Sequence, residues 1–188
     1  FSGSFDLGVT ATSADGSDVA TATDSITVDV TGVADAPTLD VSDASGNEDS
    51  AIALDIDAGL TDSSETLTVT ISGVPDGATL SAGTDNGDGT WTLSSDQLDG
   101  LSITPPDDFS GSFDLGVTAT SADGSDVATA TDSITVDVTG VADAPTLDVS
   151  DASGNEDSAI ALDIDAGLTD SSETLTVTIS GVPDGATL

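Results

Sequence analysis

The sequence contains no lysine, arginine, histidine, cysteine, methionine or tyrosine. Without cysteine no disulfide can hold the fold together, and without histidine or cysteine a zinc site would have only carboxylate ligands. Serine hydroxyls are plentiful, but no basic side chain is present to activate them or to stabilise an oxyanion. A glycosidase with two carboxylates would need one acid in an apolar pocket, and the sequence indicates no such pocket. We therefore expect no enzymatic activity.

The charge is of one sign only. The 188 residues carry 36 acidic side chains and no basic one, a formal net charge of −36. Folding brings these groups within a Debye length of one another, about 10 Å in 0.1 M salt, so that their repulsion destabilises the folded state. Dissolved cations must supply the missing positive charge. The same charge repels nucleic acid and anionic lipid, and no apolar run is long enough to span a membrane. We expect neither nucleic-acid binding nor membrane insertion.

The sequence repeats itself. Residues 1–80 return letter for letter as residues 109–188, so the repeat period is 108 residues. A repeated unit of domain size suits tasks that scale with copy number, such as reach, stiffness or avidity. The chain has no initiator methionine or signal peptide, which is typical of an excerpt from a longer protein.

Apolar and polar residues alternate with the period of a half-buried strand. Leu67, Val69 and Ile71 alternate with threonines, and Ile52, Leu54 and further segments near Trp91, Ile103, Leu115 and Ile134 follow the same rule. Glycine, proline, asparagine and aspartate cluster between these segments as turn signals. The pattern predicts an all-β fold of tandem Ig-like antiparallel β-sandwiches, each with seven to eight strands.

Two short segments interrupt this alternation with glycine and proline, at residues 31–37 and 139–145. They predict linkers too short to bend freely. The predicted organisation is the C-terminal part of one repeat (1–33), a linker (34–36), a complete sandwich (37–141), a second linker (142–144) and the N-terminal part of the next repeat (145–188). The incomplete ends would expose apolar faces and open β edges, so besides contacts between neighbouring repeats we expect head-to-tail self-association of half-domains.

Clustered carboxylates in loops are the ligands that Ca²⁺ prefers, because it takes six to eight oxygen atoms in an adaptable shell. The predicted Ca²⁺ ligands in the central unit are Glu48, Asp49, Asp55, Asp57, Asp62, Glu65, Asp107, Asp108 and Asp126. The linkers add Asp35 and Asp143, and the last segment adds Glu156, Asp163, Asp165, Asp170 and Glu173.

Several segments carry a family resemblance. They are Gly46-Asn47-Glu48-Asp49-Ser50-Ala51-Ile52, Ile71-Ser72-Gly73-Val74-Pro75-Asp76-Gly77-Ala78, Asn86-Gly87-Asp88-Gly89-Thr90-Trp91 and Pro105-Pro106-Asp107-Asp108-Phe109-Ser110-Gly111. The chain resembles the tandem Ig-like repeats of giant bacterial adhesins, called RTX or biofilm-associated adhesins, one branch of which binds ice. The resemblance implies type I secretion, a position on the bacterial cell surface, and Ca²⁺-stiffened extender repeats that project a distal ligand-binding module.

A looser resemblance is to cadherins. Asp55-x-Asp57-x-Gly59 is similar to their paired-aspartate motif, and Glu48 stands where an early acidic ligand does, but each linker here has a single aspartate. The first hypothesis is therefore a structural extender in which Ca²⁺ bridges one sandwich, the linker and the next sandwich. The alternative hypothesis is that each repeat is itself a weak glycan-binding or cell-binding module.

Overall fold

Strands make up almost all regular structure in the computed structural model, which describes residues 1–188. They are β1 (Gly3–Asp15), β2 (Asp18–Val30), β3 (Thr38–Ser42), β4 (Ala44–Asn47), β5 (Ile52–Ala53), β6 (Asp55–Gly59), β7 (Thr66–Ser72) and β8 (Thr79–Leu80). There follow β9 (Thr84–Asp85), β10 (Thr90–Ser94), a 3₁₀ turn (Ser95–Gln97), β11 (Ser102–Thr104), β12 (Gly111–Asp123), β13 (Asp126–Thr139), β14 (Thr146–Ser150) and β15 (Asp163–Gly167). No helix is long and apolar enough to cross a bilayer.

The central part of the chain forms several sheets around one core. The largest has six strands in the order β4-β13-β12-β7-β10-β9. A three-stranded sheet, β5-β11-β8, and the pair β3-β6 provide the other apolar faces. Only Leu54 separates β5 from β6, and its backbone N–H donates to the Leu101 carbonyl at 2.9 Å, so the ladder to β11 continues through the break.

The core is a single cluster of eighteen buried hydrophobic residues, all between Ile52 and Val138. The large sheet contributes Val69 and Ile71 from β7, together with Leu115 and Ile134 from the β12–β13 pair, and the facing strands contribute residues such as Ile103. These are the inward positions of the alternating sequence pattern, as expected for sheets with one buried face. Trp91 is half-buried and packs against this cluster.

The hairpin of β12 and β13 is the longest paired unit of the core. Thirteen residue pairs run from Gly111↔Val138 to Asp123↔Asp126. The two-residue turn between the strands begins with Gly124, whose φ is +64°, a conformation that glycine adopts without steric cost.

The all-β prediction is confirmed, and the details differ in two ways. The stretch from β3 to β13 contains eleven strand segments rather than seven or eight, because breaks at Asp43 and Leu54 divide extended runs and because β8 and β9 are only two residues long. The pairing is also not entirely antiparallel, since β4 runs parallel to β13. Strand β3 pairs with β6, and after Asp43 the chain continues as β4 at the edge of the six-stranded sheet.

The terminal segments show which elements form without this core. The pair β1–β2 has the register of its copy β12–β13, and β14–β15 has the register of its copy β3–β6. Residues 174–180 have the sequence of β7 but are not in a strand. Of the two partners of β7, β10 has no copy in the chain, and β1, the copy of β12, pairs only with β2. The hairpins therefore need only local pairing, whereas β7 needs neighbours from distant parts of the chain.

Identical residues in different surroundings allow a direct stability test. Ile134 is fully buried and its copy Ile26 is 55% exposed. We expect Ile134→Ala to lower the free energy of unfolding of the central part by about 2–5 kcal/mol, since it leaves a cavity. The matched control Ile26→Ala should change it by less than about 0.5 kcal/mol. Urea unfolding followed by fluorescence of Trp91, the single tryptophan, measures both. Equal effects would contradict the described core.

Candidate metal centre

The second linker (residues 139–145) lies across a buried glutamate. The backbone N–H of Glu48 donates to the Thr139 carbonyl at 3.0 Å, and Oε1 of Glu48 accepts the N–H of Val141 at 2.6 Å. This continues the parallel β4–β13 pairing, which ends at Asn47↔Thr139, by one more contact. Glu48 is only 3% exposed as a result, whereas its copy Glu156 is exposed. The linker, not the local sequence, buries this carboxylate.

Three carboxylates meet beside Glu48. Oxygen atoms of Asp49, Asp108 and Asp143 all lie within 4.8 Å of one another, the only such group of three in the chain. Asp49 follows β4, Asp108 lies in the turn before β12, and Asp143 belongs to the linker. The backbone N–H of Asp108 donates to Oδ1 of Asp49 at 3.2 Å, which holds the two loops together.

Two members of this triad have a left-handed backbone. Asp49 has a φ of +55° and Asp108 a φ of +56°, and the copy of Asp49, Asp157, has a φ of +60°. Aspartate tolerates this region better than most residues with a Cβ atom. These backbone turns bring loops from separate parts of the central unit to the same linker.

The next segment of chain supplies two more acids. Oε1 of Glu173 accepts the N–H of Asp143 at 2.6 Å, so the linker backbone is held from this side as well. Asp170 is 4% exposed, and both of its oxygens accept hydrogen bonds from Ser172. Glu48, Asp143, Asp170 and Glu173 line one cleft.

Electrostatic effects in this cluster have opposite signs. Desolvation raises the pKa of Asp108 above its ordinary value, and the charges of Asp170, Asp49 and Asp143 raise it further. Hydrogen bonds from the Ser172 hydroxyl and then its backbone N–H lower the pKa of Asp170. Desolvation and the neighbouring carboxylates thus disfavour the charged form of Asp108, while the hydrogen bonds from Ser172 favour the charged form of Asp170.

The first linker (residues 31–37) is bound by the other end of the central unit. Oε1 of Glu65 accepts the N–H of Asp35 at 2.7 Å, the same contact that Glu173 makes to Asp143. Asp126, at the tip of the β12–β13 hairpin, accepts the N–H of Ala34 at 2.9 Å. The hydroxyl of Ser121 donates to the Asp35 carbonyl. The first linker therefore shows the contacts with Asp126 and Ser121, and the second linker shows the contact with Glu48.

A glycine in each linker illustrates the difference. A Cβ atom on Gly32 would collide with the carboxylate of Asp123 at the hairpin tip, whereas one on its copy Gly140 would meet nothing closer than the Ser110 Cβ at 3.4 Å. The hairpin tip thus packs directly against the first linker.

The other predicted ligands lie elsewhere or have local partners. Asp55 and Asp57 are exposed on β6, where Asp57 faces Asp40 across the strand pair, and Asp163 and Asp165 are exposed on β15. Oδ1 of Asp62 accepts the N–H and hydroxyl of Ser64, which lower its pKa. Asp107 is exposed beside Asp108. Asp55 and Asp57 therefore do not join the triad.

Neither Ser121 nor Asp99 is among the ligands that the sequence predicts. Ser121 is fully buried, and it continues the inward positions Leu115, Val117 and Ala119 of β12. A polar residue at a core position signals a required hydrogen-bond partner, and this signal was available in the sequence. Asp99 lies beside Asp55 and Asp57 in a shallow cleft of β6, a neighbourhood that no sequence spacing indicates.

No protein-family model and no curated protein matches the chain. Among solved structures, an endo-fucoidan hydrolase from glycoside hydrolase family 107 aligns with a TM-score of 0.32 and 16% identity. The alignment covers 90% of this chain and 30% of that one. The chain thus spans less than a third of the length of that structure, and a likeness this remote carries no argument about fold or activity.

The raised pKa of Asp108 has a testable sign. The folded state holds this proton more tightly than the unfolded state, so Asp108 adds stability as the pH falls through its raised pKa. In metal-free buffer with EDTA at neutral pH, Asp108→Asn should raise the melting temperature because it removes one repelling charge. The gain should shrink as acidification protonates the parent.

Thermal melts of Asp108→Asn at a series of pH values measure this effect. Asparagine tolerates the left-handed backbone, so the substitution changes charge with little strain. Asp76→Asn, in an exposed turn, is the matched control. A variant less stable than the parent in EDTA at neutral pH would contradict the assigned repulsion.

Proposed function

We propose that residues 37–141 are a Ca²⁺-stiffened, Ig-like extender unit of a bacterial surface adhesin. It is joined to its neighbours through the segments 31–37 and 139–145, in which residues 34–36 and 142–144 are the linkers proper. The observation that carries this proposal is the convergence of Asp49 and Asp108 of one unit with Asp143 of the linker within 4.8 Å. In a chain without a basic side chain, a bound cation can relieve this repulsion at neutral pH without protonation of the carboxylates.

The donor set suits a hard cation. It consists of three carboxylates and contains no nitrogen or sulfur ligand. Ca²⁺ takes such ligands in an adaptable shell, whereas Mg²⁺ requires a near-ideal octahedron and keeps its water molecules. Asp49, Asp108 and Asp143 would hold the ion, and the ion would supply the positive charge that the protein lacks.

Two buried glutamates support the same conclusion independently. Oε1 of Glu48 and Oε1 of Glu65 each accept a linker N–H, but the Oε2 atoms of both are buried without a hydrogen-bond partner. A buried carboxylate oxygen without a partner is costly, and native structures normally satisfy such atoms. Ca²⁺ at each linker would satisfy them.

The mechanism of stiffening is a bridge between bodies that are otherwise connected by a few residues. Glu48 holds the linker from the preceding unit, Glu173 holds it from the following one, and the ion would connect Asp49, Asp108 and Asp143 between them. Repetition of such a junction turns a chain of units into a rod. We assign its place to the bacterial cell surface, where Ca²⁺ is plentiful and a rod can hold a distal ligand-binding module.

Removal of Ca²⁺ should lower the melting temperature and increase flexibility. Extracellular modules bind Ca²⁺ with dissociation constants of roughly 0.1–1 mM, and millimolar Ca²⁺ should therefore restore both properties. Calorimetry counts the bound ions, and small-angle scattering on the 188-residue chain measures the maximum dimension. Binding without a change in dimension would contradict stiffening, and specific binding of the chain to a glycan array would favour the alternative adhesion module.

Substitutions at the second linker should separate binding from folding. Glu48→Ala with Asp143→Ala should weaken Ca²⁺ binding by at least about tenfold, because each removed ligand typically costs more than 1 kcal/mol. Asp108→Asn should now destabilise the protein in millimolar Ca²⁺, the reverse of its effect in EDTA. Asp76→Ala is the matched control and should leave the calorimetric titration unchanged. Unchanged binding in the double variant would exclude this centre.

A further inference from the structure

A small cleft opens at the β9 edge of the six-stranded sheet and shares no residue with the metal centre. It has a volume of about 170 Å³ and lies between the turn that follows β7 and the loop that joins β9 to β10. Trp91, Val74 and Pro75 supply the apolar part of its lining, and Asp76 and Asp85 supply two carboxylates. Because pockets for drug-sized ligands measure roughly 300–1,000 Å³, this cleft suits a single small group.

Hydrogen bonds fix the walls of this cleft. The backbone N–H of Val74 donates to the Gly89 carbonyl at 3.1 Å and ties the two walls together. Oδ1 of Asp85 accepts the N–H of Gly87 at 2.8 Å, which orients the carboxylate and leaves it further acceptor sites. A Cβ atom on Gly87 would meet nothing within 4 Å, so the space beside this glycine is open. A site that is already formed loses little conformational entropy when a ligand binds.

The indole of Trp91 lies between the core and a carboxylate. On one side Trp91 is directly opposite Ile71 of β7, which is fully buried, and on the other side it is directly opposite Asp85 of β9. Directly opposed residues of antiparallel strands point to the same face, with Cβ atoms about 4.5–5.5 Å apart. Trp91 is therefore half-buried at the rim of the core, where its remaining surface meets the cleft beside a negative charge.

We propose that this cleft binds a quaternary ammonium group, such as that of choline. The face of an aromatic ring attracts cations, and tryptophan does so most strongly. Asp76 and Asp85 add two negative charges, and the chain has no basic side chain to neutralise them. The methyl groups of the ligand would pack against Val74 and Pro75 while its charge faces Trp91 and the carboxylates.

The lining distinguishes this ligand from other cations. Ca²⁺ takes six to eight oxygen ligands, whereas apolar side chains form a large part of this cleft. A primary ammonium is strongly hydrated and has three N–H donors to satisfy. A quaternary ammonium has no N–H group, so it needs no hydrogen-bond partner and gains from apolar contact. A phosphate attached to the ligand would be repelled by the two carboxylates, so the proposed occupant is a small molecule without an anionic group.

Trp91 is the single tryptophan, so its fluorescence reports on this cleft directly. We expect choline, titrated into the whole chain in EDTA at constant ionic strength, to change the fluorescence until the site is saturated. The neutral isostere, in which carbon replaces the nitrogen of choline, is expected to bind at least about tenfold more weakly, because it loses the attraction of the indole and of both carboxylates. A response that does not saturate, or equal affinity for the isostere, would overturn the proposal.

Charge-neutral variants test the two carboxylates. Asp85→Asn and Asp76→Asn are each expected to weaken choline binding at least about threefold, and asparagine at position 85 keeps an oxygen that can accept the Gly87 N–H. The matched control Asp96→Asn, at an exposed position outside the cleft, is expected to bind choline like the parent. Unchanged choline affinity in both cleft variants would overturn the proposal.

The same variants separate this cleft from the metal centre. Neither Asp76 nor Asp85 belongs to the triad, so the calorimetric Ca²⁺ titration of Asp76→Asn and Asp85→Asn is expected to match that of the parent. Equal melting temperatures in EDTA verify that the fold is intact. Loss of Ca²⁺ binding together with choline binding would contradict two independent sites, whereas loss of choline binding alone supports the proposal.

Discussion

The dominant constraint on this protein is that its carboxylates have no basic partner anywhere in the chain. Other proteins commonly place an arginine or lysine beside a buried acid. Here backbone N–H groups and a serine hydroxyl are the donors at the points where acids are buried. Glu48 and Glu65 each take a linker N–H, and Asp170 takes two hydrogen bonds from Ser172. The geometry of the linkers follows from this need for donors.

This dependence explains why the candidate metal centre lies at a linker. Backbone donors inside the sheets are already used in the ladders, so free N–H groups are available where the strand pairing ends. The parallel β4–β13 pairing ends at Asn47↔Thr139, and the following N–H of Val141 meets Glu48. The aspartates on either side, Asp49 and Asp143, are then brought together without a counter-charge. A divalent cation is the missing component under the proposed function.

Exact repetition also separates local from long-range determinants within one molecule. The hairpin β1–β2 forms with the register of β12–β13 although its apolar residues are exposed, so the turn and cross-strand pairing suffice for it. Residues 174–180 have the sequence of β7 and are not in a strand, so the strand depends on partners far away in sequence. Likewise, Glu48 is buried because the second linker lies across it, whereas its copy Glu156 is exposed.

Several properties were determined by the sequence alone. Alternation of Leu67, Val69 and Ile71 with threonines was enough to predict which face of β7 is buried, because side chains of a strand point to opposite faces in turn. Whether the strand forms was decided by its distant partners, since the same sequence at 174–180 is not in a strand. Charge composition predicts a need for external cations, and this stays a prediction. Which acids meet was decided only by tertiary structure: Asp49, Asp108 and Asp143 are brought together by two turns and a linker, whereas Asp55 and Asp57 remain exposed on β6 despite their motif. Spacing along the chain carries no information about distances between loops, since these depend on how the sheets pack.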